Sequence, residues 1–201
     1  PRPVAAAERS RPRVIRVRPL CGVVRRLRVL QDQHSRNNAR NASVDRVRVL
    51  GAGSACAVDL ARFSPAHRAL GARTRAALAI ESGAVVIGFV GRLTRDKGVD
   101  ELVEAFKAVH AASPGVILLV VGPYEGRDRP SDASNAFLSS HPAVRQVGMQ
   151  GDVLPYMAAM DILALPTHRE GLGTVLLEAA ALGFPAVTTT ATARPAAVVH
   201  W

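Results

Sequence analysis

"AVVIGFVGRLTRDKGVDELVEAFKAVHAA", residues 84–112, decides the fold. It opens on β-branched and aromatic residues with no polar alternation, the pattern of a strand buried on both faces. It closes on Leu102, Val103, Phe106 and Val109 at helical spacing, behind Asp100 and Glu101 in the first turn, where a helix favours acids. Outward from this unit the alternation repeats. "GVILLVVG", 115–122, is a second buried strand. A polar loop leads to a short strand near 144–148, then a brief helix near 154–160 and the strand "DILALP", 161–166. "LGTVLLEAAAL", 172–182, is a helix and "PAVTT", 185–189, a strand. Upstream, "VRVLGAGSACAVDLARFSP", 47–65, reads as strand, loop and linker. Strands alternating with helices imply an α/β fold with a doubly wound parallel sheet and right-handed crossovers.

The 201 residues, 48% of them apolar, suffice for one substantial core. The net charge of +10 is uneven. Residues 1–50 hold 13 Arg against Glu8, Asp32 and Asp45, whereas residues 51–201 balance 13 basic with 13 acidic side chains. The basicity therefore belongs to an irregular Arg-rich segment, residues 1–45, and not to the domain expected over 46–201. That segment has no aromatic platform and no recognisable nucleic-acid module, so no nucleic-acid partner is expected. Cys21 and Cys56 form neither a disulfide framework nor a zinc motif. With no signal peptide and no membrane-length apolar run, a cytoplasmic setting is expected.

In a doubly wound sheet the ligand sits beyond the carboxyl ends of the strands. Three loops are directed there: "GRLTRDKG" (91–98), "GPYEGRD" (122–128) and "THREGLG" (167–173). The first supplies Gly91 for close backbone approach, with Arg92 and Lys97 as cations suited to two linked phosphates. It is neither a Walker loop nor a dinucleotide fingerprint. The third opens a helix whose free N–H groups and dipole offer a phosphate seat. Glu170 lies just before that helix, and Glu178 lies inside it among Val175, Leu176, Leu177 and alanines. A carboxylate there needs partners, and carboxylates accept pairs of sugar hydroxyls. His168, next to Glu170, is read as a partly exposed loop residue or a contact to donor phosphate or sugar, and Tyr124 and Glu125 as a solvated edge loop in preference to a loose contact with a nucleotide. Met157 and Met160 read as core, His110 and His141 as surface.

"VIGFVGRLTRDKGVDELVEAF", "LLVVGPYEGRD" and "YMAAMDILALPTHREGLGTVLLEAAALGFPAVTT" together resemble the C-terminal, donor-binding domain of a GT-B retaining glycosyltransferase of family 4. The likeness is greatest to bacterial enzymes building capsule, exopolysaccharide or lipid-linked oligosaccharide, and runs over about residues 46–190. It implies that Arg92 and Lys97 hold the donor diphosphate, that Glu178 binds the ribose and that Glu170 addresses the transferred sugar. Main-chain groups of Gly171, Leu172 and Gly173 would lie against sugar and phosphates. The implied reaction moves a sugar from a nucleoside diphosphate, UDP in preference to GDP, to a hydroxyl with retention. No metal or cofactor is expected, since no Asp-x-Asp is present and the two cations can neutralise the leaving diphosphate.

The pattern departs in three places. Leu172-Gly173-Thr174 stands where relatives often carry an aromatic and an Asn, Ala57 stands where the linker motif has Gly, and the 45 irregular residues of the Arg-rich segment are too few to replace the acceptor-binding domain that the resemblance implies. The chain alone is therefore expected to bind nucleotide sugar weakly or not at all and to turn over nothing, because a glycan or lipid-linked acceptor would be held by that other domain. Membrane contact is expected to be peripheral at most. Two alternatives compete: a nucleotide-sugar epimerase of the same fold, which needs acid/base residues from a second half, and a non-catalytic nucleic-acid module resting on the Arg-rich segment.

Overall fold

A computed structural model describes residues 58–169 and 173–189. The first expected strand and the Arg-rich segment lie outside these residues. A 3-10 turn at Pro65–Ala69 leads into α1 (Leu70–Ala77). Then follow β1 (Val85–Val90), α2 (Val99–Ala112), β2 (Val116–Val121), α3 (Asp132–Ser140), β3 (Val144–Gly148), α4 (Leu154–Ala158), β4 (Ile162–Leu165), α5 (Thr174–Leu182) and β5 (Ala186–Thr188). The strands form one sheet in the order β3-β2-β1-β4-β5, every neighbouring pair parallel. The expected α/β doubly wound sheet is present.

Burial explains the element choice. Leu118, Leu119, Val120 and Val121 of β2 are almost wholly inaccessible, as are Val86 and Phe89 of β1 and Leu163 and Leu165 of β4. Each such side chain contributes about 1.5–3 kcal/mol by leaving water. The helices form two packing groups, α2 with α3, and α1 with α4 and the 3-10 turn, which also meets α5. This grouping fits helices laid on opposite faces of a sheet. Met157 and Met160 are fully buried, as the sequence suggested.

Two expectations change. The region between β2 and β3 is not all loop, because α3 forms there. Its Ser131 cap accepts from the Ser134 N–H at 3.2 Å and is held in turn by the Asp100 carboxylate of α2, 2.8 Å from the Ser131 hydroxyl. His110 and His141 are not solvated surface groups but half-buried members of an aromatic cluster. His141 stacks on Phe137 at 4.4 Å, and His110 lies 5.0 Å away edge-on.

The amino edge of the sheet is fixed by an arginine that the sequence did not single out. Arg75 donates to the Ala159 and Ala84 carbonyls at 2.9 and 3.0 Å and to Asp161 at 2.7 Å. Asp161 also accepts the Val86 N–H at 2.8 Å. The starts of β1 and β4 are thereby locked together, which sets the spacing of their far ends, where the crevice opens. No helix among the described residues is long and apolar enough to cross a membrane.

Candidate functional site

β1 and β4 are neighbours at the centre, while β2 and β3 build outward beside β1 and β5 beside β4. Between β1 and β4 the winding reverses, and such a reversal opens a crevice beyond the carboxyl ends of the strands. The loops leaving β1 and β4 meet there. Gly98, with φ +72, caps α2 directly under the loop after β4, and a Cβ on it would fall 1.9 Å from the Pro166 carbonyl oxygen. The Asp96 carbonyl accepts from the Thr167 hydroxyl at 2.9 Å and from the His168 N–H at 2.8 Å. The loop after β2 is joined as firmly. The Leu93 N–H donates to the Pro123 carbonyl, and the Arg95 N–H to the Asp128 carbonyl, both at 2.9 Å. Gly122, at φ +144, passes so close to Gly91 that a Cβ would lie 1.8 Å from the Gly91 carbonyl oxygen. The absence of a side chain at Gly122 is thus what lets the loop after β2 lie against Gly91.

All three expected loops therefore meet at one edge. Arg92, 48% exposed in its side chain, pairs with Glu125 through Nη1 and lies 3.8 Å from Asp96 through Nη2. Glu125 is an acid partner of the cation, a role its sequence position did not reveal. Lys97 follows Asp96 and acts on its carboxylate. The Asp96 carboxyl is held below the usual range, chiefly by the Thr94 hydroxyl that donates to it and then, against the opposing effect of burial, by Lys97 and Arg92. Both cations thus work beside carboxylates. His168 turns outward to α2, its Nε2 2.7 Å from Glu101. Tyr124 is 37% exposed and bridges to Leu93.

α5 begins at Thr174, two residues later than the earlier of the two expected starts, with Gly173 as its cap at φ +63. Glu170, Gly171 and Leu172 lie outside the described residues, so the expected contacts of the first glutamate fall there. Glu178 is half-buried in the second turn of α5, flanked by buried Leu176, Leu177 and Ala179. Burial pushes its carboxyl up, and Arg62, on the chain segment before the 3-10 turn, opposes that rise. Arg62 was absent from the sequence reading, since only topology brings residue 62 near residue 178. A shallow groove of about 490 Å³ runs along edge strand β3 between Leu138 and Arg145, apart from the β1 and β4 loops.

A raised carboxyl has a defined linkage sign. Its stabilising contribution is complete below the unfolded-state pKa and is lost as pH rises through the folded-state value. Glu178→Gln is therefore expected to raise the melting temperature at pH 7, and the gain should shrink as the buffer is acidified. Melting curves of the two proteins that stay parallel from pH 4 to pH 8 would contradict this.

Comparison with known proteins agrees with this architecture. Residues 84–200 match the family described as "Glycosyl transferases group 1". The chain belongs to this family. It is 33% identical over 159 residues to the capsular polysaccharide biosynthesis glycosyltransferase CapM of Staphylococcus aureus, covering 79% of this chain and 41% of CapM. The structure of Anabaena Alr3699/HepE in complex with UDP superposes with a TM-score of 0.53 at 25% identity, over 64% of this chain and 35% of that one. The C-terminal domain of a group 1 family protein, LpcC from Francisella tularensis, gives 0.57 at 26% identity, over 69% and 73%. The sheet is the Rossmann-like unit of GT-B glycosyltransferases, and the chain spans about two fifths of the length of CapM. Neither the epimerase nor the nucleic-acid reading is favoured by these relatives.

Proposed function

We propose that this chain is the donor-binding domain of a bacterial retaining glycosyltransferase of family 4 that transfers a sugar from UDP to a hydroxyl acceptor in polysaccharide or lipid-linked glycan synthesis. The observation that carries the reading is the joining of the cation loop 91–98 to the loop that opens α5, at the reversal of winding between β1 and β4. Arg92 and Lys97 take the diphosphate, and the Asp96 and Glu125 carboxylates hold the two cations in place until it arrives. Glu178 accepts the ribose hydroxyls, Glu170 addresses the sugar, and the main chain of Gly171, Leu172 and Gly173 lies against both. Gathering two cations where the leaving diphosphate develops charge lowers the barrier without a metal. A separate domain presents the acceptor, and the work is done in the cytoplasm with, at most, peripheral membrane contact.

Titration of the chain with UDP, UDP-glucose and GDP, followed by NMR shifts, tests the reading. Any UDP binding is expected to be weak, with Kd of about 1 mM or above, GDP weaker still, and the shifts should cluster at residues 91–98 and 173–178. Shifts that fall on the β3 groove instead would refute it.

A further inference from the structure

Main-chain hydrogen bonds join the cation loop to the loop after β2 step by step: the Gly91 N–H donates to the Val121 carbonyl, Leu93 to Pro123 and Arg95 to Asp128, each at 2.9 Å. At the last step Asp128 does more. Its carboxylate also accepts the Asp96 N–H at 2.9 Å, so one residue takes two consecutive donors, one through its carbonyl and one through its side chain. Asp128 does this from the left-handed region, at φ +58, which a short polar side chain tolerates because it can bond locally. It is anchored from the far side as well. Three residues on, the Ser131 N–H and hydroxyl donate to the Asp100 carboxylate of α2 at 3.0 and 2.8 Å.

The two captured N–H groups open a turn. The Gly98 N–H donates to the Arg95 carbonyl at 2.9 Å, closing residues 95–98 with Lys97 third of the four. The N–H groups of Leu93, Thr94, Arg95, Asp96 and Gly98 are all taken by protein oxygens. A loop whose N–H groups are engaged in this way meets a phosphate with side chains, so the pose of the turn sets where the Lys97 ammonium points. Stability alone gives the Asp128 contact little purpose. Asp128 is exposed, an exposed hydrogen bond adds little, and a residue with a side chain at this φ subtracts from that gain.

We propose that Asp128 is a positioning residue of the donor site: by holding the Arg95 and Asp96 N–H groups it fixes the 95–98 turn so that Lys97 faces the diphosphate. The inference rests on the reading of Lys97 as a diphosphate ligand. Glu125, three residues before Asp128, pairs with Arg92. One loop therefore arranges both cations, Glu125 by its charge and Asp128 through the main chain.

The test compares Asp128→Asn with Asp128→Gly in the whole chain. Both remove the charge and both suit a left-handed backbone, but only Asn keeps a side-chain oxygen for the Asp96 N–H. Asp128→Gly is expected to speed amide hydrogen exchange at Asp96 about tenfold, with β1 and β2 unchanged and the melting temperature within about 2 °C of the parent. Asp128→Asn should exchange like the parent. UDP affinity should be about fivefold lower in Asp128→Gly than in Asp128→Asn, uridine should not separate the two, and the difference should vanish when Lys97→Ala is already present. Equal exchange at Asp96 in the two variants overturns the inference, as does a loss shared by UDP and uridine or one that persists without Lys97. It falls too if Lys97→Ala weakens UDP while the Asn and Gly variants bind it equally. Faster exchange in Asp128→Gly with the same UDP affinity throughout, Lys97→Ala included, overturns instead the diphosphate assignment beneath it.

Discussion

Gly98→Ala is expected to destabilise the domain by about 3 kcal/mol, lowering its melting temperature by roughly 10 °C, and to abolish nucleotide binding. Two costs add. At φ +72 a residue with a side chain is held in the left-handed region, at about 1 kcal/mol or more. The new methyl also lies 1.9 Å from the Pro166 carbonyl oxygen, a backbone atom that no rotamer change can move aside. Relief requires the loop after β4 to lift from the loop after β1, stretching the bonds from Thr167 and His168 to the Asp96 carbonyl. Those two loops carry the candidate site, so binding should suffer beyond what unfolding explains. Gly115→Ala supplies the control, because a Cβ there meets nothing within 4 Å. Urea denaturation with UDP titration on both variants checks this, and a Gly98→Ala protein as stable as Gly115→Ala would show that the loops are not clamped together.

The elements legible in the sequence are those whose signal is local. β1, β2 and β4 announce themselves as short β-branched or aliphatic runs because parallel strands are covered on both faces. α2 carries its stripe through Leu102, Val103 and Phe106, all buried in the structure. α3 was missed because "DASNAFLSS" is rich in Ser and Asn and buries little beyond Ser134 and Leu138. It stands on a cap whose own support is Asp100, about thirty residues back. Ser131 followed by Asp132 was the available signal, a helix-start pair within a stretch that otherwise looks like loop. α1 was passed over for a similar reason: its sequence "LGARTRAA" has no apolar stripe, and it is placed by Gly71 against the Ala158 carbonyl and by Arg75.

The candidate site divides along the same line. Arg92, Lys97 and Glu178 were visible because each belongs to a contiguous motif at a predictable strand end or helix start. The groups that surround them, Glu125 beside Arg92, Thr94 on Asp96, and Arg62 acting on Glu178, were not. Glu125 and Arg62 reach their partners through strand order and loop contacts, which one sequence does not encode at any fixed spacing. Thr94 is only two residues from Asp96, but a buried threonine donating to a loop carboxylate has no pattern that separates it from an ordinary turn residue.

Lys97→Ala should weaken UDP binding by roughly tenfold to a hundredfold while leaving uridine binding within about twofold. A hydrogen bond to a charged group is worth about 1.5–3 kcal/mol, which sets the size of the first effect. The comparison with uridine isolates the diphosphate, because uridine keeps the base and ribose contacts and lacks the phosphates. A second contribution works in the same direction. Without Lys97 the Asp96 carboxylate keeps its Thr94 donor but loses one of the two cations that balance it, so the crevice becomes more repulsive to phosphate. Adding Asp96→Asn to Lys97→Ala should for that reason recover part of the lost affinity, and the recovery should fade at high salt, where exposed charges are screened. Lys97→Arg should recover only part, since a planar guanidinium on a longer stem does not reproduce a compact ammonium. NMR titrations of the four proteins with UDP and uridine measure all of these. If Lys97→Ala weakens uridine as much as UDP, Lys97 supports the loop and does not hold phosphate, and the diphosphate would have to be placed against Arg92 and the start of α5 alone.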